Sequence, residues 1–379
     1  MKRFMVMALA MLTLPIFAQK ENPYRKTDEI AVSIPKSQTR TSADIAAYIS
    51  AHFTGQTEQA RAIYMWIATH IEYDIPAMSL TGSYMKKSEI LNDVLSMRKG
   101  ICSHYAELFT DIARQVGIES YVVAGYTKQG DYVDETPHAW NAARIDSVWY
   151  LFDATWGAGY IRQNRFVKKV DDAYFRMEPS CAILTHMPFD PMWQFLSEPI
   201  THDEFYGKNR TAHHPVIYFN CTDTLTNYIR MNRMDQLISS LARMESNNNG
   251  NLFIASQVRD MERGLEYYKN QVNTDLFNAA VDRFNEGIIR FNDFIDYRQN
   301  RFMPEKADEE LRQMLALAEY HLMDAGSKLW SIKAPDIDMA ESIADMNAII
   351  ERVMIKLYRH KAFLEEYLNT EKSRRKLLL

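Results

Sequence analysis

Residues 99–117 read KGICSHYAELFTDIARQVG. After Cys102 the apolar side chains Tyr105, Leu108, Phe109, Ile112, Ala113 and Val116 recur at steps of three and four, and Gly117 stands where a helix would stop. The spacing predicts a helix that opens at Cys102, with Gly100 letting the chain turn sharply into it. A thiol there faces unpaired backbone N–H groups and the positive end of the helix dipole. Both favour thiolate and offer part of an oxyanion hole.

Further along, His138 to Ile145 and Val148 to Thr155 read as two strands joined by Asp146 and Ser147. A two-residue turn pairs 145 with 148, so 138 faces 155 and 140 faces 153. His138 and Asp153 then share one face as diagonal neighbours, roughly 7–8 Å apart at the backbone. A slip of one residue would send one of them to the opposite face. Cys102, His138 and Asp153 supply a thiol nucleophile, a base to take its proton, and a group that fixes the base in one tautomer.

Five ordered blocks carry a resemblance: AIYMWIATHIEYD (62–74), GICSHYAELF (100–109), PHAWNAARI (137–145), LFDATWGAG (151–159) and YFRMEPSCAILTHMPFDPMWQFLSEPITHDEF (174–205). Together they resemble the transglutaminase-like superfamily of cysteine enzymes, which share a papain-like core, and in particular its kyphoscoliosis-peptidase-like branch. The resemblance spans roughly Thr41 to Phe205. It implies Cys102 as nucleophile, His138 as general base and acid, and Asp153 as orienter. Family members commonly have a small residue where this chain has His104, so an altered cleft mouth is expected there. Trp140 and Trp156 are candidate walls of a substrate cleft. Trp66 sits with Ile63, Ile67 and His70 at helical spacing and reads as core, not as an oxyanion donor.

The surroundings set limits. Lys2 and Arg3, the apolar run Phe4 to Phe17 and Ala18 read as a secretory signal over 1–18, too short for the roughly 20 residues of a membrane span. A secreted or periplasmic protein that does not span the membrane is expected. The net charge is −5 with 25% charged residues, which argues against a basic nucleic-acid binder. No HExxH, paired CxxC or glycine-rich phosphate loop occurs, and the adjacent His213 and His214 suit exposure better than shared ligation, so no metal or cofactor is expected. With Cys102 free for chemistry, Cys181 and Cys221 either form a disulfide or stay as separate thiols, and spacing does not choose.

The 379 residues are too many for one typical core. Residues 19–40 read as an extended polar segment. Thr41 with Asp44 signals a helix to about His52, and helices follow over about 56–72 and 88–96, then the nucleophile helix and strands from Ser120, His138 and Val148. Helices first and an antiparallel sheet afterwards make residues 41–220 an α+β catalytic domain. Over 221–372 the seams Phe277, Val281, Phe284, Ile288, Phe291, Ile295 and Ile343, Met346, Ile350, Val353, Leu357, Leu364 read as long packed helices. Breaks at Asn247 to Gly250, Pro304 and Pro335 suggest about four helices in an all-α bundle, and residues 373–379 read as a frayed basic tail. Such seams pack within the chain or against a protein partner or second copy.

The expected activity is that of an exported cysteine peptidase or amidase acting on a peptide or protein substrate through a thioester. The alternatives are a glutamine cross-linking transglutaminase and a non-catalytic papain-like scaffold whose helical domain binds a protein.

Overall fold

The computed structural model describes residues 22–79, 87–207, 220–247 and 251–379. The leader expected at 1–18 and the pair His213 and His214 lie outside the described residues. The chain divides into two compact units, residues 1–227 with 243–254 and residues 228–242 with 255–379.

The first unit begins with a correction. In place of an extended segment, Arg25–Val32 forms helix α1. Its Asp28 carboxylate takes Arg61 Nε at 2.6 Å and Nη2 at 2.8 Å, and Arg61, 1% exposed, lies over the rings of Tyr24, Tyr64 and Phe175. A guanidinium this deep needs its counter-charge, and the helix that supplies Asp28 is held in place by that need. Polar residues spaced along α1 hid this from a reading based on hydrophobic period.

Helix α2 (Ser42–His52) opens on the expected cap, Thr41 and Asp44 exchanging side chain and backbone hydrogen bonds. Helix α3 (Gln56–His70) is buried at every residue from Gln59 to Ala68, Trp66 included, so it is the central helix of this unit. The chain then runs through strand β1 (Glu72–Tyr73), helix α4 (Lys87–Met97) and strand β2 (Lys99–Gly100), which pairs in parallel with β1, directly into helix α5 (Cys102–Gln115).

Strands β3 (Glu119–Gln129), β4 (Tyr132–Ile145) and β5 (Val148–Phe152) follow, then the small hairpin β6 (Gly159–Arg162) and β7 (Arg165–Lys168), helix α6 (Pro179–Ala182), strand β8 (His186–Pro188) and helix α7 (His202–Phe205). The main sheet is antiparallel in the order β5-β4-β3-β8. Leu108, Phe109, Ile112 and Ala113 of α5 join the core that the sheet contributes to through Ala143, Ile145 and Phe152. Asn141 of β4 spans the same contact with polar bonds, its amide donating to the Ala106 carbonyl at 2.8 Å and Thr110 Oγ1 at 2.9 Å. Helix and sheet are thereby locked at one spacing, which fixes where Cys102 stands relative to β4.

The helical region comprises α8 (Cys221–Arg230), α9 (Arg233–Ser246), α10 (Leu252–Gln299), α11 (Asp308–Trp330) and α12 (Ile337–Asn369), five helices among the described residues where about four were expected. Breaks near Pro304 and Pro335 fall where anticipated, and a further one separates α8 from α9. Within the second unit, α11 buries Leu311, Leu315, Ala318, Leu322, Ala325 and Leu329. The most deeply buried line of α10 is not the large apolar seam but a strict seven-residue series, Asn273, Ala280, Gly287 and Phe294. Small residues there admit the neighbouring helix: a Cβ at Gly287 would lie 2.8 Å from Leu322 Cγ. The basic end is not frayed, because Arg375 grips Asp308 at 2.7 and 2.9 Å and the Leu368 carbonyl at 2.7 Å. The fold class is therefore α+β with an all-α helical region following.

Candidate active site

Cys102 is the first residue of α5, entered from Ile101 in extended conformation. The tightness of that entry explains Gly100: a Cβ there would come within 2.9 Å of His104 Cβ. His104 turns back and accepts the Ile101 N–H on Nδ1 at 3.3 Å, the reach-back half of a capping box. Burial lowers its pKa, which keeps Nδ1 an acceptor. Its observed part is thus to finish the helix start beneath the nucleophile.

The β4–β5 hairpin has the anticipated register, Ile145 opposite Val148 and Asn141 opposite Phe152. Asp146 and Ser147 both take positive φ, as a tight two-residue turn requires. Asp153 leaves the ladder one residue past β5, and its Oδ2 lies 2.8 Å from His138 Nε2. Because Nε2 is engaged there, Nδ1 is the nitrogen left for the thiol, and Cys102 and His138 are hydrogen-bonded. The Ala139 N–H also points at the sulfur. The structure therefore brings Cys102, His138 and Asp153 into one chain of contacts.

Charges in this chain reinforce each other. Burial alone would raise the Cys102 thiol, but the hydrogen bond and charge of His138 and the Ala139 N–H outweigh it and lower its pKa. Burial pulls His138 down, whereas the Asp153 charge and hydrogen bond, with Cys102 behind, push it up to about 10. Asp153, 0% exposed, is kept well below the usual carboxylate range: His138 and His186 more than offset its burial. A thiolate–imidazolium pair is the arrangement these shifts favour.

Two contributors were not read from sequence. Tyr73, on the strand beside Gly100, reaches both the sulfur and the backbone N–H of Cys102 through its hydroxyl, and burial with the adjacent Cys102 charge raises its pKa. His186 places Nε2 3.1 Å from Asp153 Oδ2. Tyr73 lies in the stretch 62–74 and His186 in 174–205, both of which carry the family resemblance, but neither shows a spacing that points to chemistry.

The aromatic residues divide. Trp140 is 1% exposed and stands behind the imidazoles, 6.0 Å from the His138 ring and 5.1 Å from His186, so it does not wall an open cleft. Gly125 makes the room, since a Cβ there would fall 2.5 Å from the Trp140 ring. Trp156 is half-buried and covers His138 at 5.9 Å and His186 at 4.9 Å. Trp66 is core, stacked on His70 and lying beneath Arg98.

All three cysteines are free thiols: Cys181 is exposed and Cys221 donates to the Met192 carbonyl at 3.3 Å. His138, Asp153 and His186 hold their donor atoms within 4.8 Å of one another, a set that would suit a metal ion by type. Both imidazoles, however, already meet the same carboxylate oxygen at N–H···O distances.

Residues 43–154 match the family described as the Transglutaminase-like superfamily. The core is a transglutaminase-like domain. Within the superfamily, it is similar to kyphoscoliosis peptidase of Homo sapiens, 34% identical over 176 residues, and of Mus musculus, 33% identical over the same length. These matches take in 42% of this chain and 26% of either relative, so the chain spans about a quarter of the length of the curated relatives it matches. Among solved structures, the periplasmic domain of TgpA from Pseudomonas aeruginosa is 19% identical, with a TM-score of 0.26 over 35% of this chain and 48% of that one. The superfamily of this transglutaminase-like core includes cysteine peptidases and transglutaminases. No described helix is long and apolar enough to cross a membrane.

Proposed function

We propose that the transglutaminase-like core is a cysteine peptidase or amidase that cleaves peptide or carboxamide bonds through a thioester on Cys102. The observation that carries this reading is the unbroken contact chain from Asp153 through His138 to a thiol at a helix N-terminus. The Cys102 thiolate attacks the carbonyl carbon, and the oxygen takes up the negative charge. In this reading the Tyr73 hydroxyl stabilises it, its proton no longer facing a thiolate once the C–S bond has formed. His138 Nδ1–H gives its proton to the leaving nitrogen as the C–N bond breaks, leaving the acyl group on sulfur. Water then attacks the thioester, loses a proton to His138 and releases the acid as the C–S bond breaks.

Water is the default acceptor, so hydrolysis is favoured over cross-linking. The apolar leader at 1–18 extends the proposal to an exported enzyme acting on peptides or proteins outside the cytoplasm.

The test is selective labelling of Cys102 by an electrophilic thiol probe, with His138→Ala as control. Loss of labelling at neutral pH in the variant supports the pair, whereas equal labelling overturns it. Incubating a glutamine peptide with a labelled primary amine then separates the outcomes: free acid supports hydrolysis, and amine incorporation in excess overturns it in favour of transfer. Full function retained in Cys102→Ala would favour the scaffold reading instead.

A further inference from the structure

Asp153 Oδ1 is fixed by the backbone, accepting the N–H groups of Thr155 at 2.8 Å and Trp156 at 3.0 Å. Its Oδ2 serves two imidazoles, His138 at 2.8 Å and His186 at 3.1 Å. A triad requires only the first. The second histidine comes from β8 on the edge of the sheet opposite β5, where His186 pairs with Thr127 and the Thr185 carbonyl accepts the Lys128 N–H at 2.8 Å. It also lies beyond residues 43–154, the stretch that matches the superfamily.

We infer that His186 is a positioning residue for the thiol–imidazole pair: its Nε2–H, donated to Asp153 Oδ2, holds the carboxylate turned toward His138. Three features of its setting support this. The Asp153 carboxylate only accepts, so the His186 proton sits on Nε2, and the Thr185 hydroxyl, 2.8 Å from Nδ1 and 3.4 Å from the Ala182 carbonyl, is the donor that the bare Nδ1 then takes. His186 is 1% exposed and boxed by Trp140 at 5.1 Å, Trp156 at 4.9 Å and Tyr174 at 6.2 Å. The titratable groups facing it are Asp153, His138 and Tyr174, and burial keeps His186 neutral by lowering its pKa. A neutral N–H donor steadies the Asp153 charge without competing with the charge on His138.

The inference rests on the proposed thiol–imidazole reading, so the experiment keeps the two apart. The full chain is labelled at Cys102 with iodoacetamide across pH 5–10 as wild type, His186→Ala, His186→Phe and His186→Gln, with His138→Ala alongside and circular dichroism as a fold check. Phenylalanine fills the box without a donor, while glutamine restores an N–H. The Ala and Phe variants should label at least about tenfold more slowly at pH 7, as loss of a hydrogen bond to a charged group implies. Their basic limb should move downward, because a loosened Asp153 supports the imidazolium less. His186→Gln should return both readings close to wild type.

Wild-type behaviour in His186→Phe would show that the ring only fills space and would overturn the inference. Equally slow labelling in folded His186→Gln and His186→Phe would overturn it too. A wild-type Cys102 no more reactive than that of His138→Ala would instead remove the pair itself, and the positioning role with it.

Discussion

The two compact units bury different things. Among the described residues, the buried Asp and Arg side chains Asp28, Arg61, Asp153 and Asp190 all lie in the first unit, each in a charge pair. The second unit is held by leucine, phenylalanine and alanine seams, with Asn273 bonded to the Lys333 backbone as its buried polar clamp. The difference shows what each kind of interior can do. Apolar packing sets helix spacing but tolerates small rotations, whereas paired charges fix the direction of a particular atom. The unit with the candidate chemistry is the one that adds buried charge pairs to its apolar core.

The sharpest way to break this comparison is to remove a charge at the site. With the thiol lowered and His138 raised to about 10, the thiolate–imidazolium pair should exist from below the ordinary thiol range of about 8.5 up to roughly pH 10, where His138 loses its proton. Iodoacetamide labelling of Cys102 should therefore plateau over that window. Asp153→Asn withdraws the charge that raises His138, so the basic limb should fall toward the ordinary histidine range and labelling at pH 7 should drop on the order of 10²-fold. An unchanged profile would mean that the charge does not organise the pair.

A second charge tests stability instead of reactivity. Asp28→Ala leaves Arg61 buried with Asp172 as its remaining carboxylate, 2.7 Å away. Breaking one arm of a buried pair should cost about 3 kcal/mol, the low end for such sites, because Asp172 still compensates in part. Five of the six tryptophans lie in the first unit and Trp330 alone in the second, so tryptophan fluorescence in urea follows the first unit. Its midpoint should fall with little change in slope. A variant as stable as wild type would show that α1 docks by its apolar contacts alone.

These contrasts also explain what could be read in advance. The nucleophile helix, the hairpin register and the Thr41 cap follow from periodicity and turn chemistry, which act over a few residues, and the His138–Asp153 contact was legible because the hairpin converts sequence spacing into a diagonal contact. Arg61 with Asp28, and His186 with Asp153, join residues 33 positions apart in both cases. No local period encodes such pairs. Trp140 was misplaced for a related reason: its burial depends on Gly125 of the neighbouring strand. In α10 the larger apolar residues drew attention from the small ones that face inward.

Gly287 is the smallest and most local test of the packing side. Alanine should favour a helix by about 1 kcal/mol over glycine. Here, though, the new methyl would meet Leu322 Cγ at 2.8 Å, Cδ2 at 2.9 Å and the Leu322 backbone N at 3.2 Å. Leu322 is 0% exposed, and the backbone atom cannot move without shifting α11. Overpacking of this kind costs about 1–3 kcal/mol, so Gly287→Ala should lower stability by about 1 kcal/mol net. Helical circular dichroism during urea unfolding would read it. Leu322→Ala alone should cost about 2–5 kcal/mol, yet in the double variant the Gly287→Ala change should become neutral to stabilising, because the Cγ and Cδ2 contacts are gone, only the 3.2 Å approach to the backbone N is left, and the helix preference remains. Strictly additive effects would place the helices farther apart than the contact implies. Cys102 labelling should be unchanged throughout, since the altered seam contributes no charge to the site.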